Sequence, residues 1–127
     1  SEEGQVWEAA MFACHEKLDH LIGFTDYNKQ QIDGYVDEMT GIAPLADKWT
    51  AFGWNVIEVD GHDVAAIDDA ICRAKAHTGS PSMIVLHTVK GKGYSRAENS
   101  PIACHSMTFT AEQHEQALHE LEGGLEK

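Results

Sequence analysis

The sequence is short of cations. Its 127 residues hold 9 Lys+Arg against 21 Asp+Glu, a formal net charge of −12 with histidine neutral. Nucleic-acid binding by phosphate neutralisation needs clustered Lys and Arg, so that class of partner is excluded. Long apolar runs are lacking too. None approaches the roughly 20 residues that cross a bilayer, and no basic segment followed by an apolar one opens the chain. Only three cysteines are present, Cys14, Cys72 and Cys104, with no CxxC pair. A disulfide scaffold is therefore not expected, and reduced thiols in the cytoplasm are. What is there suffices for a core: 43% of the residues are apolar, in a length that suits one ordinary domain.

The spacing of apolar residues predicts strands alternating with helices. A helix is expected over residues 3–19, with Trp7, Met11, Cys14 and Leu18 on one stripe and Ala9, Ala10 and Ala13 as a small-residue flank. Leu21-Ile22-Gly23-Phe24 reads as a strand that stops in a polar loop at Thr25. Residues 29–43 read as irregular, 44–52 as a short helix ended by Gly53, and 54–59 as a second strand. Asp63 is placed to cap a helix carrying Val64, Ile67, Ile71 and Ala74, which Gly79-Ser80-Pro81 stops. Residues 83–86 are continuously apolar, as in a parallel strand covered on both faces. A long loop over 90–109 precedes Thr110-x-x-Gln113, a capping box for a helix through Leu118 and Leu121 that Gly123-Gly124 ends. The predicted fold class is α/β, a mostly parallel sheet flanked by helices. Ligands of such sheets sit beyond the carboxyl ends of the strands. The stretches 25–34, 60–63 and 88–105 are therefore where chemistry is expected.

Eight histidines invite a zinc reading, and their spacing excludes it. His15 and His20 stand five apart, as do His114 and His119. On a helix that separates each pair by about 140° around the axis, so neither pair shares a metal and all four read as surface residues. Gly91-Lys92-Gly93 begins a dinucleotide fingerprint, but Arg96 stands at the third glycine position and Pro101 interrupts the helix that should follow. A loop wrapping over a ligand suits those glycines better. Asp26-Tyr27-Asn28-Lys29-Gln30 is more informative. Asn28 offers a neutral side-chain oxygen, and a main-chain carbonyl two residues later suits the same hard cation, Mg²⁺ shared with a diphosphate. An Asx-type turn is the other reading. Glu3 is either functional or a carboxylate that complements a helix dipole. His105, beside Cys104 and Ser106, is either a general acid/base or simply exposed.

In combination these segments carry a resemblance. Glu3-Gly4-Gln5-Val6-Trp7-Glu8-Ala9-Ala10, Lys17-Leu18-Asp19-His20-Leu21-Ile22 and Asp26-Tyr27-Asn28-Lys29-Gln30-Gln31-Ile32-Asp33-Gly34 are similar to the part of transketolases that follows their thiamine diphosphate motif. Pro44-Leu45-Ala46-Asp47-Lys48-Trp49, Ala51-Phe52-Gly53-Trp54, Val59-Asp60-Gly61-His62-Asp63 and Lys90-Gly91-Lys92-Gly93 continue it in the same order. The style is closest to split, two-subunit transketolases. The resemblance implies that residues 1–127 are the later half of a pyrophosphate-binding domain. It places the motif's Gly-Asp-Gly just before Ser1, and the pyrimidine domain elsewhere in a longer polypeptide or in a separate chain.

The resemblance also implies roles. Asn28 matches the terminal Asn of the cofactor motif, a ligand of the metal and diphosphate. Gln30 matches the next metal ligand, acting through its main-chain carbonyl, at a position that is usually apolar. Ile32 matches an apolar contact to the cofactor. Glu3 matches a carboxylate near the dimer interface that relays the state of the aminopyrimidine. His105 matches a histidine near the diphosphate and the substrate oxygens, although Ser106 stands where the family often has Gly. The implied cofactors are thiamine diphosphate and Mg²⁺ (or Ca²⁺). The implied reaction moves a two-carbon ketol unit between ketose and aldose phosphates, as in pentose phosphate interconversion. Lys90, Lys92 and Arg96 are the few cations near these motifs, so the phosphate clamp is expected from the pyrimidine half. A homodimer or heterotetramer follows, cytoplasmic, with this chain inactive by itself. The alternatives are another thiamine diphosphate enzyme such as deoxyxylulose-phosphate synthase, a non-catalytic assembly fragment, or a nucleotide-binding module.

Overall fold

A computed structural model describes residues 1–32, 34–98, 100 and 103–125. Asp33 and Pro101, both cited above, lie outside the described residues. Along the chain the elements are α1 (Gly4–His15), β1 (Ile22–Tyr27), β2 (Gln30–Gln31), β3 (Gly34–Tyr35), α2 (Val36–Met39), α3 (Leu45–Ala51), β4 (Asn55–Asp60), α4 (Val64–Ala76), β5 (Ser82–His87), α5 (Ser95–Glu98), a 3₁₀ turn (Ala103–Ser106) and α6 (Ala111–Leu125). They form two compact units. The first takes Ser1–Asn28 and Thr40–Thr88, and the second takes Lys29–Met39 with the chain from Val89 onward.

The first unit is built on a parallel sheet of order β1-β5-β4. Its middle strand explains the apolar run in the sequence. Successive residues of a strand face opposite sides, and both sides of β5 are covered. Met83 and Val85 join Ala10 and Ala13 of α1, Leu45 and Trp49 of α3, and Trp54. Ile84 joins Ile57 of β4 and Ala70 and Ala74 of α4. The Trp49 ring centroid lies 4.9 Å from that of Trp7 and 5.0 Å from that of Trp54, so three indoles pin α1 and α3 to one face.

Two expectations are corrected here. The Trp7–Met11–Cys14–Leu18 stripe is only in part the buried face of α1: Trp7 and Cys14 pack against the core, but Met11 is exposed and Leu18 lies past the helix end. Ala10 and Ala13 are the buried positions. Small side chains let the helix backbone approach closely enough for Trp54 Nε1 to donate to the Ala10 carbonyl at 3.0 Å. A larger residue at Ala10 would push that carbonyl out of reach. Likewise β1 does not stop at Phe24 but runs to Tyr27, because register with β5 continues through Tyr27↔His87 and carries Thr25 and Asp26 in the ladder. The Asp63 cap forms as expected, its carboxylate accepting from Ala65 N at 2.9 Å and Ala66 N at 3.1 Å. Gly53, at φ +89°, ends α3 in the left-handed conformation that terminates helices.

In the second unit the supposedly irregular stretch contains the antiparallel pair β2–β3, with Gln30 opposite Tyr35, followed by α2. The capping box is reciprocal: Gln113 N donates to Thr110 Oγ1 at 3.3 Å, and Thr110 N donates to Gln113 Oε1 at 3.0 Å. Gly123-Gly124 do not stop α6, which continues to Leu125. Glycine lowers helix propensity, but it ends a helix by turning left-handed, and Gly123 does not take a positive φ. Where the sequence reads as loop over 90–109, the described residues include α5 and the 3₁₀ turn. Glu120 of α6 holds α5 by its first turn, accepting from Ser95 N at 2.7 Å and Ser95 Oγ at 2.8 Å. Among the described residues no helix is long and apolar enough to cross a membrane.

Candidate functional site

In-register pairing brings the ends of the three parallel strands level at Tyr27, His87 and Asp60. The residues that follow, Asn28, Thr88 and Gly61-His62-Asp63, therefore share the carboxyl edge, where the sequence placed its polar stretches. Oxygen donors dominate this edge. One Asp26 oxygen accepts the Thr88 hydroxyl proton, and the other faces Asn28 Nδ2 at 3.5 Å. Gly61 N donates to the His87 carbonyl at 2.9 Å, and the Asp60 carboxylate receives the His62 amide at 2.9 Å. Gly61 sits so close to β5 that a Cβ on it would lie 2.3 Å from Thr88 Cγ2. Beside this group, His87 Nε2 lies 2.7 Å from Glu58 Oε2, with the Tyr27 ring set edge-on to the imidazole.

Asn28 is half-buried directly beyond β1. The next residue, Lys29, takes φ +63°, a left-handed conformation uncommon for a residue with a Cβ. Gln30 is half-buried in β2. Ile32 lies in the turn between β2 and β3 and is 61% exposed. Glu3 occupies the N-cap of α1 with no side-chain cap bond, its carboxylate accepting from Gln5 Nε2 instead. His105 is exposed in the 3₁₀ turn, and Lys90 Nζ approaches its Nδ1 at 3.3 Å. Of the five residues singled out from the sequence, Asn28 and Glu3 belong to the first unit and Gln30, Ile32 and His105 to the second.

The sequence pattern singles out neither Thr88 nor Gly61 as a site residue. Each is the first residue after a parallel strand, and that position is the signal that finds them. His15, His20, His114 and His119 are exposed, in keeping with the surface reading. Among the described residues no group of three or more His, Cys, Asp or Glu side chains is placed to hold a metal. The donors at the edge are instead hydroxyl, amide and carboxylate oxygens. That chemistry suits a hard cation completed by ligand oxygens, and not zinc.

A doubly covered parallel sheet whose oxygen-rich rim lies beyond the strand ends is the architecture of α/β domains that bind ligands at that rim. The chain belongs to the transketolase family: the family profile described as "Transketolase, thiamine diphosphate binding domain" matches residues 1–123. It is 55% identical over 122 residues to the 6-deoxy-6-sulfo-D-fructose transketolase subunit SqwG of Clostridium sp. (strain MSTE9), covering 96% of this chain and 44% of that protein. It is 37% identical over 125 residues to an apulose-4-phosphate transketolase subunit of Phocaeicola vulgatus, covering 98% and 44%. The chain thus spans less than half the length of these relatives. Among solved structures, a Pichia stipitis transketolase in complex with sedoheptulose-7-phosphate matches with a TM-score of 0.71 at 26% identity, over 98% of this chain and 21% of that one. The Leishmania mexicana transketolase gives 0.69 at 26%, over 95% and 21%.

Proposed function

We propose that the protein carrying this chain transfers a two-carbon ketol unit from a ketose to an aldose bearing a terminal anionic group, using thiamine diphosphate and Mg²⁺. The observation that carries the reading is the oxygen cluster of Asp26, Asn28 and Thr88 at the rim of a thiamine diphosphate-binding domain. When bound, thiamine diphosphate supplies the nucleophilic carbon and the electron sink for the transfer. This chain's task is to hold and orient. The Asn28 amide oxygen would help hold Mg²⁺, and the Gln30 main-chain carbonyl is the further ligand that the family resemblance implies. Ile32 would offer the cofactor an apolar contact, and Glu3 would be the carboxylate that answers to its aminopyrimidine, as the family resemblance implies. His105, with Lys90 Nζ 3.3 Å from its Nδ1, would donate a hydrogen bond to an oxygen that gains charge during transfer.

The relatives' names include the word subunit, which supports a pyrimidine-binding half on a separate polypeptide. They also favour transketolase over a sister thiamine diphosphate enzyme. The 55% relative supports 6-deoxy-6-sulfo-D-fructose as donor, its sulfonate standing where a sugar phosphate carries phosphate. A coupled ketol-transfer assay on the reconstituted full-length protein, comparing that donor with fructose 6-phosphate, tests the activity. Silence with both donors in the presence of thiamine diphosphate and Mg²⁺ would rule the activity out. For the ligand assignment, Asn28→Ala is expected to weaken Mg²⁺ and cofactor binding in calorimetry at little cost in stability. Unchanged affinity would remove Asn28 from the metal.

A further inference from the structure

We infer that Asp26 and Thr88 are positioning residues that fix which atom of the Asn28 amide meets the cation; this rests on the reading of Asn28 as a Mg²⁺ ligand. A carboxamide has two chemically opposite ends of nearly equal size, an oxygen that binds cations and an NH₂ that repels them. Nothing in its shape decides which end faces a ligand. Here Asp26 bears on that choice, because its Oδ2 faces Asn28 Nδ2 at 3.5 Å. A carboxylate accepts and cannot donate, so it draws the NH₂ end and turns Oδ1 the other way. Asp26 is in turn held from its far side by the Thr88 hydroxyl, which donates to Oδ1. Asp26 and Thr88 lie on neighbouring strands, Asp26 paired with Leu86 in the parallel ladder and Thr88 immediately beyond the end of β5. The Thr88 methyl is backed by Gly61, where there is no room for a side chain. The sheet thus delivers one chain of contacts, Gly61 to Thr88 to Asp26 to Asn28, and its last member is the amide.

Outer-shell partners of this kind typically change metal affinity 10–100-fold when removed. The test measures Mg²⁺ binding by calorimetry on the reconstituted full-length protein at saturating thiamine diphosphate, with the urea midpoint of the metal-free protein in parallel. Thr88→Val and Asp26→Asn should each weaken Mg²⁺ binding about tenfold or more with the urea midpoint held, and Thr88→Ser should restore it. In the Asn28→Ala background, Thr88→Val should have no further effect, because the amide it positions is gone. If Asn28→Ala weakens binding while Thr88→Val and Asp26→Asn do not, the positioning role is overturned and Asn28 remains a ligand. If Thr88→Val weakens binding equally with and without Asn28, Thr88 acts by another route and the inference fails. If Asn28→Ala leaves Mg²⁺ affinity unchanged, the metal reading falls, and the positioning role falls with it.

Discussion

Gly61→Ala tests whether the carboxyl edge is built as tightly as its contacts imply. Gly61 needs no positive φ; it is glycine for space. An added Cβ would stand 2.3 Å from Thr88 Cγ2, 3.0 Å from Leu86 Cβ and 3.3 Å from the His87 carbonyl oxygen. Carbon atoms in ordinary contact sit about 3.5–4.0 Å apart, so the Thr88 contact must open by about 1 Å or more. Leu86 and the His87 carbonyl belong to β5 and resist, which leaves the Thr88 side chain to move and its bond to Asp26 to break. Overpacking of this kind costs about 1–3 kcal/mol. Gly79→Ala is the matched control. Gly79 has φ +92° and no neighbour within 4 Å of a built Cβ, so alanine there bears a backbone cost of about 1–2 kcal/mol and displaces nothing. In urea the two variants of the full-length protein should lose comparable stability. Only Gly61→Ala should also lower Mg²⁺ affinity in calorimetry with thiamine diphosphate present. Equal affinities in the two variants, or a stability loss below about 0.5 kcal/mol for Gly61→Ala, refutes the reasoning.

Two further outcomes follow from elements away from the edge. Asp63→Ala removes the acceptor for the Ala65 and Ala66 amides and should cost about 1 kcal/mol in urea. Those two amides should exchange faster with solvent, and unchanged exchange would show the cap to be idle. Backbone and side-chain hydrogen bonds from Ser95, with a third from Gln116, hold the Glu120 carboxyl below the usual carboxylate value of 4.5. A lowered folded-state pKa means that the contact stabilises above the unfolded value and is lost as pH falls through the folded one. The Ser95 amide resonance should therefore titrate below pH 4.5 in the native protein. A titration above that value, or none, would break the link between α5 and Glu120.

The sheet was legible because burial on both faces leaves a simple trace, the unbroken apolar run of β5, and because the Asp63 and Thr110 caps use local chemistry that the sequence states outright. The errors came where a neighbour decides. Nothing in Trp7, Met11, Cys14 and Leu18 says that a distant indole, Trp54, will need the carbonyl of Ala10. Likewise Thr25 and Asp26 read as loop until pairing with Val85 and Leu86 draws them into β1. The glycines at 123 and 124 misled for a related reason, since composition does not disclose φ. At the proposed site, spacing and resemblance single out Asn28, and the structure puts that residue directly beyond β1. Asp26, Thr88 and Gly61 acquire their roles only when β1, β5 and β4 end side by side, and no local window of sequence contains all three.

The left-handed backbone at Lys29 has a consequence for how the rim would receive a ligand. Glycine enters that conformational well freely, whereas a lysine does so at about 1–2 kcal/mol. In exchange, a residue with a side chain has far fewer alternative shapes than glycine. The segment that follows Asn28 has therefore given up much of its freedom during folding, anchored by Val36 N donating to the Lys29 carbonyl at 3.0 Å. Entropy surrendered then is not lost a second time on association. A loop ordered in this way would lose little further freedom on meeting a ligand, at the expense of a fold that a glycine would have made slightly easier.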